Sequence, residues 1–183
     1  MPITRLSSLA TDELTASQIH DLRGLLDAAF GTDPDDAFTE DDWVHAIGGR
    51  HFILTRDGEL IAHASVVERV LEIGGRALRT GYVEAVATRP DRQREGLGTE
   101  VMRAVGSYVD THFELGALGT SHHGFYERLG WRTWRGPSFV CTPDGETPTP
   151  DEDGYIMVLP TLSTPPLDFT ASISCDWRSG DVW

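Results

Sequence analysis

Val86-Ala87-Thr88-Arg89-Pro90-Asp91-Arg92-Gln93-Arg94-Glu95-Gly96-Leu97-Gly98 joins the end of an apolar strand to the start of an amphipathic helix, and its reading decides the fold. Gly96 and Gly98 carry no side chain to hold an anion away, so the backbone N–H groups of residues 94 to 98 can converge on one at the positive end of the helix that follows. The stretch reads as a diphosphate-binding turn. The helix itself is well marked, because Leu97, Val101, Val105 and Val109 recur every fourth residue and Met102 and Tyr108 widen the stripe. A third glycine at the dinucleotide-fold spacing and a Gly-Lys-Ser/Thr ending are both missing, which excludes the Rossmann fingerprint and the Walker loop.

Upstream of the turn, Thr11-Asp12-Glu13 reads as a helix start. Leu14, Ile19, Leu22, Leu25, Leu26 and Phe30 follow at helical spacing, and Gly31 ends the run. Residues 31 to 38 form a loop bearing proline and aspartate. Thr39 with Asp42 three residues on predicts a capped short helix carrying Trp43 and Ile47, stopped by Gly48-Gly49. The period then changes to two. Phe52-Ile53-Leu54, a turn at Asp57-Gly58, and Leu60 to Leu71 read as a hairpin, and Gly74-Gly75 turns the chain into Ala77 to Thr88. Beyond the central helix, Leu115 to Thr120 reads as a strand, His122 to Leu129 as a short helix closed by Gly130, Thr142 to Asp153 as a loop between strands, and Tyr155 to Leu159 as a strand. The tail from Pro160 has few helix signals but carries Trp177 and Trp183, too much apolar surface to leave in water.

The length of 183 residues with 39% hydrophobic residues suits one domain spanning residues 1–183. No apolar run reaches the ~20 residues of a membrane span and the start does not read as a signal segment, so the expected location is the cytoplasm. Cys141 and Cys175 read as two reduced, mostly buried thiols, and the pair His122-His123 lacks a partner at ligand spacing, so no metal site is expected. Fifteen Lys and Arg against 29 Asp and Glu give a net charge of −14, which argues against nucleic acid or an anionic membrane as partner and favours a cationic one. The carboxylates are clustered, with Asp33, Asp35, Asp36, Glu40, Asp41 and Asp42 in one group and Asp151, Glu152 and Asp153 in another.

Glu84 stands in the apolar strand Tyr82-Val83-Glu84-Ala85-Val86 and shares a face with Val86 and Thr88. Either it takes a salt-bridge partner at a half-open position, or it is a base that strips a proton from a substrate ammonium.

The spacing Gln-x-x-Gly-x-Gly, Gln93 to Gly98, resembles the coenzyme A signature of the GCN5-related N-acetyltransferases. Gly124-Phe125-Tyr126-Glu127-Arg128-Leu129-Gly130-Trp131 resembles the second phrase of that superfamily, at the expected distance. The resemblance narrows with Gly81-Tyr82-Val83-Glu84, Leu115-Gly116-Ala117-Leu118, Pro150-Asp151-Glu152-Asp153-Gly154 and the ending Cys175 to Trp183, which together look like the aminoglycoside 2′-N-acetyltransferases of mycobacteria and their relatives. It implies an α/β GCN5-related N-acetyltransferase fold, with a mixed, mostly antiparallel sheet flanked by helices and splayed near Val86. It also implies a homodimer that uses acetyl-coenzyme A and no metal, and that acetylates the 2′-amine of drugs such as gentamicin, tobramycin, kanamycin B or dibekacin, conferring resistance. By position the substrate contacts fall on Asp42, Glu84, Glu152, Asp181 and the Trp183 carboxylate. Glu84, Tyr126 and Trp183 carry the catalytic roles, Tyr126 as general acid. The coenzyme contacts fall on the backbone of Val86 and Thr88 and on Gln93, Arg94, Gly96 and Gly98. Three features depart from the family pattern: a longer acidic loop over residues 31 to 37, Gly119-Thr120 in place of serines, and Glu95 within the phosphate turn, where Arg92 and Arg94 are expected to offset it. The alternatives are an acetyltransferase for a polyamine, a cell-wall amino sugar or a protein amine, and a non-catalytic module that binds coenzyme or drug.

Overall fold

The computed structural model describes residues 3–31 and 37–183, and the chain forms two compact units, Met1–Val67 with Val83–Val105 and Glu68–Tyr82 with Gly106–Trp183. Asp33, Asp35 and Asp36 of the acidic loop lie outside the described residues.

In the first unit, β1 (Thr4–Ala10) pairs antiparallel with β2 (Arg50–Arg56), from Thr4↔Arg56 to Ala10↔Arg50. Strand β2 pairs in turn with the first part of β3 (Glu59–Ile73), with one bulge at Leu54/Thr55. The two-residue connection Asp57-Gly58 has φ of 52° and 87°, the left-handed pair a tight hairpin turn demands and the reason for an Asp-Gly there. Strand β1 was not expected, because Thr4-Arg5-Leu6-Ser7-Ser8-Leu9-Ala10 lacks apolar alternation and lies at the edge of the ladder.

Helix α1 (Ala16–Phe30) starts at the cap Thr15, four residues later than the Thr11 of Thr11-Asp12-Glu13 suggests. Thr15 accepts from the Gln18 amide while Gln18 caps the Thr15 amide in return, whereas Thr11–Glu13 closes only a single 3₁₀ turn before Leu14 goes extended. Leu22, Leu25 and Leu26 form a core with Leu14, Trp43, Ile53 and Ala87. The expected short helix is α2 (Glu40–Ala46), capped by Thr39 and Asp42; Ile47 is already extended. Residues 61–67 of β3 are all buried, which places covered surface on both of its faces.

In the second unit β3 alternates from Glu68 onward, its even positions exposed, as a strand with one wet face does. The sheet order is β6-β9-β5-β4-β3-β10-β7-β8, with β4 at Arg76–Thr88, β5 at Leu115–Gly119, β6 at Arg132–Thr133, β7 at Ser138–Thr142, β8 at Gly145–Pro148, β9 at Ile156–Pro160 and β10 at Ile173–Asp176. Parallel pairing joins β4 to β5 over Thr80–Tyr82 and Leu115–Ala117, and β10 to β7; the other registered pairs are antiparallel, so the sheet is mixed and mostly antiparallel. Helix α3 (Leu97–His112) presses close to it in this unit. A Cβ at Gly81 would stand 2.7 Å from the Phe113 ring and one at Gly116 would stand 3.0 Å from Val109, so no other residue fits at either place without movement.

Residues 142 to 153, expected as loop, hold strand β8 and a 3₁₀ turn at Pro150–Glu152. Strand β8 is wholly exposed and at the sheet edge, where proline and the absence of a buried face are both tolerated, so it carries no strand signal. In the tail, β10 pairs with both β3 and β7. Trp183 is 4% exposed but Trp177 is 60% exposed, so only one of the two indoles is sheltered. Cys175 is buried and Cys141, on edge-paired β7, is exposed, which corrects the expectation of two buried thiols.

Candidate active site

The first unit holds the glycine turn and Glu84. After a 3₁₀ turn at Pro90–Arg92 the chain passes through Arg94 and Gly96, with φ of 67° and 81°, into α3. The first backbone bond of the helix runs from the Glu100 amide to the Gly96 carbonyl, which leaves the amides of Gly96, Leu97, Gly98 and Thr99 without an intrahelical acceptor. Glycine at the cap offers no side chain to take them. A Cβ built at Gly96 meets nothing within 4 Å, so the space beside that glycine is open. These are the features of an anion seat at a helix N-terminus. Glu95 is turned away from it. Its carboxylate sits 2.6 Å from Arg56 and 3.7 Å from Arg92, which hold its pKa below the ordinary glutamate value; Arg56 and Arg92, rather than Arg92 and Arg94, do the offsetting. Arg89 is likewise engaged by Asp91 and Glu59. Arg94 has no ion pair among the described residues, so its guanidinium remains for a phosphate.

In β4, Ala85 and Ala87 pack against the helix core, and Glu84, Val86 and Thr88 are half-buried on the alternate positions. Ala85 has φ of 51°, a left-handed residue inside a strand. Two side chains of β3 hold the main chain there: the Ser65 hydroxyl donates to the Glu84 carbonyl at 3.3 Å, and His63 Nδ1 lies 2.8 Å from the Ala85 carbonyl. His63 Nε2 lies 3.0 Å from His51 Nδ1, and His51 Nε2 lies 2.9 Å from the Thr11 hydroxyl. Burial keeps both rings neutral, lowering the pKa of His51 to about 4 and that of His63 to about 3, the latter also depressed by His51 itself. Sequence reasoning missed this chain. The available signal was a histidine within each of two apolar strands that a two-residue turn makes neighbours.

Asp42 serves the cap of α2: one carboxylate oxygen accepts from the Thr39 amide and hydroxyl, both at 2.7 Å. The position assigned to a substrate contact thus already has a structural duty.

The second unit holds Tyr126, Glu152, Asp181 and Trp183. Tyr126 lies in α4 (His123–Glu127), which is shorter than the expected His122 to Leu129. Its ring stands edge-on to Phe125 and Trp131, and burial raises its pKa to about 12, so the phenol carries its proton throughout the neutral range. Glu152, Asp181 and Trp183 are brought together. The pKa of Glu152 is raised first by burial and then by the charges of Asp181 and Asp151. The Asp181 carboxylate accepts from the Trp183 amide at 3.1 Å, and the Trp183 indole donates to the Thr149 hydroxyl at 2.9 Å. Arg178 closes the tail on itself, donating to the main-chain oxygens of Asp181 at 2.8 Å and Trp183 at 3.1 Å. Its guanidinium and that of Arg69 lie over the ring of Tyr82, at 5.4 and 4.8 Å from the centroid. The main-chain carbon of Trp183 is 3.8 Å from where a Gly119 Cβ would stand, an ordinary contact distance, so the tail end lies beside the glycine that departs from the family's serine without requiring it. Among the described residues no group of three or more His, Cys, Asp or Glu is placed to hold a metal ion.

Residues 10–134 match the acetyltransferase (GNAT) domain family. An aminoglycoside 2′-N-acetyltransferase of Mycolicibacterium fortuitum is 48% identical over 151 residues, covering 80% of this chain and 77% of that protein. Among solved structures, a GNAT family acetyltransferase from Brucella melitensis in complex with acetyl-CoA superposes with a TM-score of 0.61 at 16% identity, over 96% of this chain and 97% of that one. A GCN5-related N-acetyltransferase from Kribbella flavida gives 0.59 at 22% identity over 74% of this chain, which spans about a third (34%) of that structure's length. The two solved structures speak for the fold, and the family match with the 48% relative speaks for descent: this chain belongs to the GNAT acetyltransferases, within the family of the aminoglycoside 2′-N-acetyltransferases.

Proposed function

We propose that the protein transfers the acetyl group of acetyl-coenzyme A directly to the 2′-amine of an aminoglycoside. The observation that carries this reading is the 48% identity to a named aminoglycoside 2′-N-acetyltransferase. The clustered carboxylates Glu152, Asp181 and Asp151, close enough to raise the Glu152 pKa, support it independently. A ligand bearing several ammonium groups is what lowers the energy of such a cluster.

The chemistry assigns work to four groups. The open amides at Gly96 to Thr99, with Arg94 and Gln93 beside them, hold the coenzyme's diphosphate, and the backbone of Val86 and Thr88 pairs with its arm. Glu84, directly or through water, takes the proton of the substrate ammonium, because only the neutral amine has a lone pair to attack the thioester carbonyl. As the C–N bond forms and the C–S bond breaks, the Tyr126 hydroxyl gives its proton or a hydrogen bond to the departing thiolate, and its raised pKa guarantees that the proton is there to give. Glu152, Asp181 and the main-chain oxygen of Trp183 receive the ammonium groups of the drug. Asp42, with one oxygen in the α2 cap, contributes through the rest of its carboxylate. The reading includes a cytoplasmic homodimer able to confer drug resistance.

The test is a panel of amines incubated with acetyl-coenzyme A and read by thiol release, with the acetylated position determined by NMR. An aminoglycoside with a 2′-amine should turn over, and one with a hydroxyl at that position should not. Preferential turnover of polyamines or protein amines would replace the substrate assignment, and thiol release with none of them would leave a coenzyme-binding module.

A further inference from the structure

We propose that His63, backed by His51 and Thr11, is a positioning residue for acetyl transfer that sets the direction of the Val86 amide by holding the Ala85 carbonyl. The inference rests on the reading above only for the identity of the reaction.

The hydrogen-bond chain has one direction. A carbonyl only accepts, so His63 Nδ1, 2.8 Å from the Ala85 oxygen, carries a proton and donates it. In a neutral ring the other nitrogen is then the acceptor, so His51 Nδ1 donates to His63 Nε2 across 3.0 Å. The same step assigns His51 Nε2 as acceptor, and the Thr11 hydroxyl donates to it across 2.9 Å. The Thr11 oxygen is itself fixed, since it accepts from the Gly48 amide at 2.9 Å. Four groups on β2, β3 and the flanking turn thereby end on a single carbonyl of β4.

Two imidazoles with 0% exposure are a costly way to fill a core that an apolar pair of similar volume could fill. What the polar pair supplies is a donor at one point, and that point is the strand's left-handed residue, Ala85 with φ 51°. A non-glycine residue in this region persists only where its surroundings hold it there. Ser65, two residues from His63 and so on the same face of β3, donates to the preceding carbonyl, that of Glu84. Both peptides at the kink are therefore tied from one side. Peptide planarity transmits the consequence: the Ala85 carbonyl and the Val86 N–H belong to one trans unit and point opposite ways, so fixing the first aims the second. The Glu84 carbonyl likewise fixes the Ala85 N–H. The chain thus orients the backbone between the proposed base and the proposed coenzyme contact without touching either substrate.

The experiment compares His63→Leu with His63→Asn. Both leave the His51 Nδ1 proton without its acceptor and both should lower the melting temperature, but asparagine keeps an amide nitrogen near the place of Nδ1 and can still donate to Ala85. We expect kcat/KM for acetyl-coenzyme A to fall at least about tenfold in His63→Leu, as misaiming of a transition-state donor does. The KM for the amine should stay within about twofold. His63→Asn should recover to within about threefold of wild type. Equal kcat/KM in the two variants overturns the proposal and leaves the histidines as core. A wild-type arm needs no variant to fold: long-range ¹H–¹⁵N spectra at pH 7 should show both rings as Nδ1–H tautomers, and an Nε2–H form of His63 would overturn the proposal. Failure of wild type to acetylate aminoglycosides would sink the functional reading alone, since the tautomers are observed without substrate.

Discussion

Lowering the pH from 7 to 5 should destabilise this protein by an amount traceable to two residues. His51 and His63 are held neutral when folded, with pKa values depressed to about 4 and about 3, whereas in the unfolded chain each titrates near the ordinary value of about 6.5. Between those limits the unfolded chain binds more protons than the folded one, so stability falls as pH falls. At pH 5 both unfolded rings are charged and both folded rings are still neutral. Each ring then costs about 2 kcal/mol relative to pH 7, or about 4 kcal/mol for the pair, a large share of the ~5–15 kcal/mol of a typical domain. The window excludes the competing groups. Glu40, Asp91, Glu95 and Asp168 have pKa values lowered from the ordinary carboxylate values, so the stability they contribute is lost only as the pH falls into the carboxylate range. Glu152 is raised, so it acts with the opposite sign, since folding favours its protonated form. The assay is urea unfolding followed by Trp fluorescence at pH 7, 6 and 5, on wild type and on the double variant His51→Asn, His63→Asn. The variant is less stable at pH 7 but should lose about 4 kcal/mol less than wild type on going to pH 5. Parallel lines for the two proteins would refute the claim that these rings are buried neutral.

Gly96→Val places its Cβ where no protein atom lies within 4 Å but forces a β-branched residue to φ 81° and puts a side chain beside the α3 amides, so acetyl-coenzyme A affinity should fall by at least about tenfold; unchanged calorimetric affinity in a folded variant would remove the turn as the anion seat. Tyr126→Phe should lower kcat by up to ~10²-fold with little change in the drug's KM, because the ring's packing against Phe125 and Trp131 survives; an unaltered kcat and pH–rate profile would return Tyr126 to the core. Individual exposed ion pairs contribute only about 0–1 kcal/mol, so drug binding by Glu152 and Asp181 depends on several carboxylates acting together and should weaken as salt rises. A dissociation constant that is flat across a salt titration would contradict that receptor.

Local signals were legible wherever one residue's chemistry forces a backbone state. Thr39 and Asp42 announced the cap of α2, Asp57-Gly58 the hairpin turn, and Gly96 the entry to α3. The start of α1 was misread for the same kind of reason: Thr11 and Thr15 are both competent caps, and only the reciprocal Gln18 decides between them. Strands β1, β8 and β10 were illegible because edge strands and strands added by a returning tail owe their pairing to a partner distant in sequence, not to a pattern of their own.

The same distinction separates the two halves of the candidate chemistry. The proposed coenzyme seat uses main-chain groups of one continuous turn, so its residues stand side by side in the sequence and a short motif describes them. The features that aim and charge the site are assembled across the chain. His51 becomes a neighbour of His63 only through the β2–β3 register that pairs Ile53 with His63 and His51 with Ser65. The left-handed residue they hold is an alanine, which by itself gives no hint of φ 51°. Glu152 owes its raised pKa first to burial and then to Asp181, which the tail delivers beside it after returning as β10, and to its neighbour Asp151. Asp42 shows the cost of reading residues one at a time. A carboxylate three positions after a threonine satisfies the capping rule and the acidic-cluster rule at once, and the cap, formed locally and at 2.7 Å, has the prior claim on it. The features that aim and charge the proposed site are therefore written in tertiary contacts that strand register and the returning tail create, so substitutions at β2 and β3 positions remote from any motif should alter acetyl transfer, and those at β10 the acidic cluster, as surely as those in the glycine turn should alter coenzyme binding.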